Sequence, residues 1–287
     1  MVYLAIEVET NAELRSERLD VGPYHWEYLV GGVGPEPLIA FHGFGQSAAD
    51  FKDFVAVLGD RYTLVCMNLY GHGDSCCDLP SEAAAFNEKE LSTMFHTLLE
   101  KHGWERVSIL GYSLGGRICL CLLEEMPERI HRALLLAPDG LTKNLWYRFV
   151  TSHWIGQRIF KRAVENPRPL KLAGRLLAAT GLVRKKLITF AWENFDNASK
   201  RQRVYDVWMF YRHILPTLKD VIRGVKTHGV SVVFFLGRYD KILPPSDVDR
   251  WVNALGHLGS KQQLDAGHQL LTRSVAEAVR KFSGSIE

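Results

Sequence analysis

One decapeptide constrains this chain more than any other feature: Val107-Ser-Ile-Leu-Gly-Tyr-Ser113-Leu-Gly-Gly116. A short apolar, β-branched run breaks at a glycine and presents a single serine. The helix-compatible stretch Arg117-Ile-Cys-Leu-Cys-Leu-Leu-Glu-Glu125 follows. The pattern reads as strand, sharp turn, helix, with Ser113 at the apex of a strained turn and its oxygen projecting above a sheet. Gly111 and Gly115 flank the apex where backbone approaches too closely to leave room for a Cβ. The start of the new helix brings unpaired N–H groups and partial positive charge to the same place. Such surroundings suit a nucleophile; the competing interpretation is a tight crossover whose serine merely caps the helix.

Around this turn the chain reads as an alternation of strands and helices. Strands are predicted over residues 38–41, 63–68, 107–110 and 132–136, and helices over 49–58, 88–102 and 114–125. That alternation implies a parallel sheet covered on both faces, with ligands bound beyond the carboxyl ends of the strands. Residues 2–9 and 24–30 alternate apolar and polar side chains and are expected as two antiparallel edge strands. Gly31-Gly-Val-Gly34 is glycine-rich, but a strand follows it rather than a helix, so it is not a phosphate loop.

After Ala137-Pro-Asp-Gly140 the strand rhythm stops. Over residues 145–164, Leu145, Phe149, Ile155 and Ile159 recur with bases on the other side, as in an amphipathic helix. Residues 170–179 and 204–215 are further helical runs. Strand character returns at 230–236, and 275–282 is expected as the closing helix.

Four further segments carry a resemblance. Leu38-Ile-Ala-Phe-His42-Gly-Phe44-Gly-Gln46, Asn68-Leu-Tyr-Gly-His-Gly-Asp-Ser75, Val232-Val-Phe-Phe-Leu-Gly-Arg-Tyr-Asp240 and Leu264-Asp-Ala-Gly-His268 occur in that order around the serine turn. Together they resemble the α/β-hydrolase superfamily over nearly the whole chain, apart from a middle segment near residues 142–228. The resemblance implies an α/β-hydrolase fold with a core over 1–141 and 229–287 and a helical lid over 142–228. It implies Ser113 as nucleophile, His268 as base and Asp240 as the acid that orients it, with Asp139, which also ends a strand, as the alternative acid. His257 is the rival histidine, but it precedes the expected last strand. The oxyanion donors would be the N–H groups of Leu114 and Phe44. The side chains of Phe44 and Tyr112 would line the cavity, while His42 and His72 would be scaffold.

The implied reaction is carboxylic-ester hydrolysis of a small to medium apolar-acyl substrate through an acyl-enzyme, with no metal or organic cofactor. Thioester hydrolysis and carbon–carbon bond hydrolysis are alternatives, as is a ligand sensor that retains the scaffold. Dehalogenation and epoxide opening on this fold use an elbow aspartate, and a serine at 113 argues against both.

Composition bounds the rest. The chain has 287 residues, and no 18-residue apolar run marks a membrane span. The acidic start does not suit a secretion signal. Five cysteines, an odd number without zinc-like spacing, are expected as free thiols in a reducing cytoplasm. Charge is uneven: residues 142–228 hold 18 Lys and Arg against 5 Asp and Glu, a formal +13, and the remainder is −10, giving +3 overall. That middle segment could steer anionic substrates, make weak contact with an anionic surface, or simply be solvated. No nucleic-acid motif accompanies the charge.

Overall fold

The computed structural model describes residues 14–84, 86–142, 144–168 and 197–283. Two compact units are distinguished. The first gathers the described residues of Met1–Cys76, Leu91–Thr142 and Leu215–Glu287; the second gathers those of Cys77–Glu90 and Lys143–Ile214.

The first unit is built on one sheet. Its strands among the described residues are β1 (Arg15–Val21), β2 (Tyr24–Gly31), β3 (Glu36–Phe41), β4 (Tyr62–Met67), β5 (Cys76–Cys77), β6 (Val107–Tyr112), β7 (Ile130–Leu136), β8 (Ser231–Gly237) and β9 (Gly259–Leu264). The order is β1-β2-β4-β3-β6-β7-β8-β9, with β5 pairing β2 off this path. From β4 to β9 every pairing is parallel. β1 pairs β2 antiparallel, as does β2 with β4. The central parallel strands are buried on both faces, all six residues of β6 and the last six of β8 among them, whereas the edge strand β9 is only partly buried. Continuous apolar runs therefore replace alternation here, as a sheet covered on both sides requires.

The edge hairpin is present, but its first strand is Arg15–Val21, paired from Arg15 opposite Val30 to Val21 opposite Tyr24. The strand expected over residues 2–9 lies outside the described residues. Gly22, at φ +57°, makes the turn between β1 and β2.

Helices α1 (Lys52–Leu58), α2 (Glu88–His102) and α3 (Leu114–Glu125) fall where the periodicity put them, with a 3-10 turn, Ala48–Phe51, leading into α1. Every residue of α3 from Leu114 to Leu123 is buried. Later in the chain come α4 (Leu145–Ser152), α5 (Trp154–Glu165), α6 (Ala198–Phe210), α7 (Leu218–His228), α8 (Ser246–Leu255) and α9 (Arg273–Ser283). The helix expected over 170–179 lies outside the described residues.

Two divisions differ from the sequence expectation. α7, read as part of the 142–228 insertion, belongs to the first unit and packs on α3. A Cβ on its Gly224 would run into the Leu123 carbonyl, so only glycine allows the two helices this close. Residues 77–90, read as core, instead belong to the second unit. There Phe86 stacks on Phe210, with ring centroids 4.8 Å apart, and Arg212 donates to the carbonyls of Ser81 and Glu82 at 3.1 Å each.

Within the second unit, α4 and α5 are separate helices that meet at His153, not one helix over 145–164. Tyr147, Val150 and Thr151 face inward from α4, and Gly156, Phe160 and Val164 from α5. Phe160 packs on Tyr205 and Trp208 of α6, with centroids 5.0 and 5.5 Å apart. Leu145, Ile155 and Ile159, read as the inward stripe, are exposed. Among the described residues no helix is long and apolar enough to cross a membrane. All five cysteines carry free thiols, with Cys66, Cys119 and Cys121 buried.

Candidate active site

Ser113 follows β6 directly and caps α3 with φ 50° and ψ −112°, a backbone region that side chains other than glycine rarely adopt. Three donors hold it there: the N–H groups of Gly116, Arg117 and Asp139 all donate to the Ser113 carbonyl, at 2.9, 3.3 and 2.8 Å. Its own N–H donates to the Leu136 carbonyl at 3.0 Å. Strain of this kind costs about 1–3 kcal/mol and persists only where surroundings over-determine it.

The flanking glycines are required by contact. A Cβ on Gly115 would run into the Phe41 carbonyl, and one on Gly116 into the Pro138 side chain. A Cβ on Gly111 would stand 2.5 Å from the Gly115 carbonyl oxygen. Gly115 N–H in turn donates to the His42 carbonyl at 3.1 Å, tying the first turn of α3 to the loop after β3.

His268 lies on the turn after β9, and Asp240 on the turn after β8. The His268 Nδ1–H donates to Asp240 Oδ2 at 2.7 Å, while its Nε2 is 3.3 Å from the Ser113 Oγ, which is placed to donate to it. The second carboxylate oxygen of Asp240 accepts from the N–H groups of Ile242 and Leu243, at 2.7 and 3.0 Å. Burial alone would raise the pKa of Asp240, but the bonds from His268 and those backbone amides outweigh it and hold the carboxyl below its ordinary value. It is therefore a fixed anion in contact with the imidazole. Asp139 is placed elsewhere: its carboxylate pairs with Arg117 of α3 and its Oδ1 accepts from Gly140 N–H at 2.7 Å. His257 sits in the short 3-10 turn before β9.

The loop bearing Phe44 is held by two histidines. His42 is fully buried; its Nδ1–H donates to the Gly43 carbonyl at 2.7 Å and its Nε2 accepts from Leu69 N–H at 3.0 Å. That pattern fixes one neutral tautomer. Burial, with His72 nearby, pushes its pKa down to about 3. His72 accepts from Gly45 N–H through Nε2 at 2.9 Å and donates from Nδ1 to the Tyr70 carbonyl at 3.0 Å. The rings stand 5.0 Å apart, and Phe44 packs edge-on to His72 at 5.7 Å. Leu114 N–H is the first of α3, at the positive end of that helix.

Tyr112, read as cavity lining, is buried, and its hydroxyl donates to the His268 carbonyl at 3.0 Å. It latches the histidine turn from the residue next to Ser113. Nothing in the local sequence signals that role, since the two residues stand 156 positions apart. Gln46 was also not singled out; its side-chain oxygen accepts from Gly43 N–H at 3.2 Å and shapes the Phe44 loop. Asn68 accepts from Ala48 N–H at 2.7 Å and donates to Glu27 at 2.7 Å, bracing the strand end that carries His72.

Comparison with known proteins agrees with this architecture. Over 122 residues the chain is 30% identical to an uncharacterised protein of Mycobacterium tuberculosis, a match that covers 42% of this chain and 34% of that protein. The chain thus spans about a third of the length of the curated relatives it matches first. A thermophilic esterase from Thermogutta terrifontis superposes with a TM-score of 0.65 at 16% identity, covering 96% of this chain and 99% of that one. A structure described as a putative epoxide hydrolase from Pseudomonas aeruginosa superposes with a TM-score of 0.62 at 17% identity, covering 95% and 96%. At such identities the likeness concerns the fold. The family model for the alpha/beta hydrolase fold matches residues 36–271, more than half of the chain, and the chain belongs to that family.

Proposed function

We propose that this protein is a serine hydrolase that cleaves carboxylic esters through an acyl-enzyme. The observation that carries the reading is the continuous hydrogen-bonded chain from Ser113 Oγ through His268 to the buried Asp240. In this reading His268 Nε2 takes the hydroxyl proton as Ser113 attacks the substrate carbonyl, and Asp240 stabilises the imidazolium that forms. The N–H groups of Leu114 and Phe44 receive the developing oxyanion, and Phe44 borders the acyl group. The imidazolium then protonates the departing alkoxide. Water activated by the same histidine hydrolyses the Ser113 ester.

The nucleophile also discriminates among the activities on this fold. A curated relative 22% identical over 126 residues is a soluble epoxide hydrolase of a Corynebacterium, and another, 31% identical over 100 residues, is a fluoroacetate dehalogenase of a Burkholderia. Serine attack on an epoxide or a carbon–halogen bond would leave an ether, which activated water does not cleave. Attack on an acyl group leaves an ester, which it does. A thioester passes through the same acyl-enzyme, so the panel of substrates should include both.

The test is labelling with a fluorophosphonate together with turnover of chromogenic esters and thioesters. One adduct on Ser113 and turnover lowered about 10⁴–10⁶-fold in Ser113→Ala are expected. Labelling at another residue, or activity retained in the variant, refutes the nucleophile. Labelling at Ser113 with no turnover of any ester would instead favour a ligand-retaining scaffold.

A further inference from the structure

The apolar residues that sequence periodicity assigned to a core stripe stand on the outside of α4 and α5. Leu145, Trp146, Trp154, Ile155 and Ile159 are between 41% and 74% exposed. Their rings are continuous: Trp146 contacts Phe149 at 5.9 Å, Phe149 stacks on His153 at 5.6 Å, and His153 stacks on Trp154 at 6.2 Å. Isolated surface apolar residues need no explanation, whereas a connected strip with two exposed tryptophans does. Cations interleave with the strip. From Leu145 to Glu165 the chain carries Arg148, Arg158, Lys161 and Arg162 against the single acid Glu165.

Beside Trp154 the second unit opens a cavity of about 480 Å³. Its lining includes Arg158 and Lys161 of α5, Tyr205 of α6, Arg212 just after α6, and Glu82. Glu82 accepts from Lys161 at 2.9 Å and from Tyr205 at 2.7 Å, so one carboxylate faces three cations. The cavity lining is net positive.

We propose that this face of α4 and α5 docks on an anionic lipid bilayer. Trp146, Trp154, Leu145, Ile155 and Ile159 would enter the headgroup–acyl boundary while the interleaved cations meet lipid phosphates, one headgroup seating in the cavity beside Trp154. Amphipathic indole rings with Lys and Arg stems suit that boundary, where one end of the side chain is apolar and the other wet. Charge decides against the other occupants. A second copy meeting this face isologously would set its cations against identical cations. Residues 169–196 of the same chain carry five Lys and Arg against two Asp and Glu, so they too would repel it.

The experiment is co-sedimentation of the full chain with vesicles, either pure phosphatidylcholine or phosphatidylcholine mixed with phosphatidylglycerol. Tryptophan emission is recorded in parallel. Binding to the anionic vesicles with a blue shift is expected. It should be lost as the Debye length falls from about 10 Å at 0.1 M salt to about 3 Å at 1 M. Arg148→Glu combined with Arg158→Glu should weaken it by at least about 25-fold, at roughly fivefold per cation removed. Trp146→Ser combined with Trp154→Ser should abolish the blue shift; circular dichroism establishes that each variant is folded. Equal binding to both vesicle types, binding unchanged in both folded double variants, or no sedimentation would overturn the proposal. So would retention on a single-stranded oligonucleotide with the same salt dependence, or a dimer that the tryptophan variants dissociate.

Discussion

Asp240 and Asp139 end neighbouring parallel strands and carry the same side chain, yet only Asp240 touches the histidine. Its carboxylate accepts from His268 and from two backbone amides, while that of Asp139 is spent on Arg117 and Gly140. Asp240→Asn should therefore lower kcat/KM by about 10⁴, because the amide no longer holds the correct imidazole tautomer or stabilises its cation. Asp139→Asn keeps an oxygen that can accept from the buried Arg117 and leaves the His268 contacts untouched, so the activity of the folded variant should stay within about fivefold of the parent. The Asp139 N–H bond to Ser113 survives that substitution. Steady-state kinetics on both folded variants checks the order, and the reverse order would move the acid to β7. The sequence narrowed the choice to these two acids but could not close it. What separates them is strand order: His268 follows β9, and β9 pairs with β8 rather than β7. That adjacency is non-local and leaves no mark in either turn.

Elements buried on both sides were legible because burial leaves a continuous apolar run bounded by glycine or polar residues. β6 and α3 fall where that pattern put them, to within two residues, and α2, buried on one face only, falls where its helical periodicity put it. The insertion was misread for a physical reason. Leu145, Phe149, Ile155 and Ile159 keep helical spacing only if the helix is unbroken, and the break at His153 resets the phase. The inward face of α5 is then Gly156, Phe160 and Val164, led by a residue that no hydrophobicity pattern scores. A Cβ at Gly156 would run into the Phe149 carbonyl, so the glycine is what lets α4 and α5 close on each other. Gly115 makes the same point at the Ser113 turn, where the Phe41 carbonyl of β3 occupies the place of a side chain. Gly115→Ala should displace the start of α3 from the end of β3. The expected cost is about 1–3 kcal/mol by overpacking, together with a loss of activity out of proportion to its small volume. Thermal melts and ester turnover measure the two effects, and a variant with both unchanged would show that β3 and α3 can separate without consequence.

At the scale of the whole chain, the least visible feature in the sequence was which segments share a core. Residues 77–90 join the second unit through Phe86 and the backbone carbonyls that Arg212 binds, and α7 joins the first through Gly224, contacts between residues about 90 or more positions apart. The first unit also carries the histidines that set its response to acid. Burial lowers the pKa of His42 to about 3, and it lowers those of His102 and His131 as well. In the unfolded chain a histidine titrates near 6.5. Between about pH 3 and pH 6.5 the unfolded state therefore binds a proton at residue 42 that the folded state refuses. Stability then rises with pH across that window and falls on acidification, by about 1.4 kcal/mol per pH unit for His42, and His102 and His131 act in the same direction. Carboxylates held below their ordinary pKa, Asp240 and Glu17 among them, act in the same direction but only at lower pH, as they begin to protonate. Urea unfolding at pH 7, 6 and 5 should show loss of stability beginning below pH 6.5, before any carboxylate titrates. His42→Asn should be less stable at pH 7, because the ring's two hydrogen bonds to Gly43 and Leu69 are disturbed, and its pH slope should be shallower by about one proton. A slope identical in parent and variant would mean that His42 accepts its proton without unfolding, and that the loop it pins after β3 opens on its own.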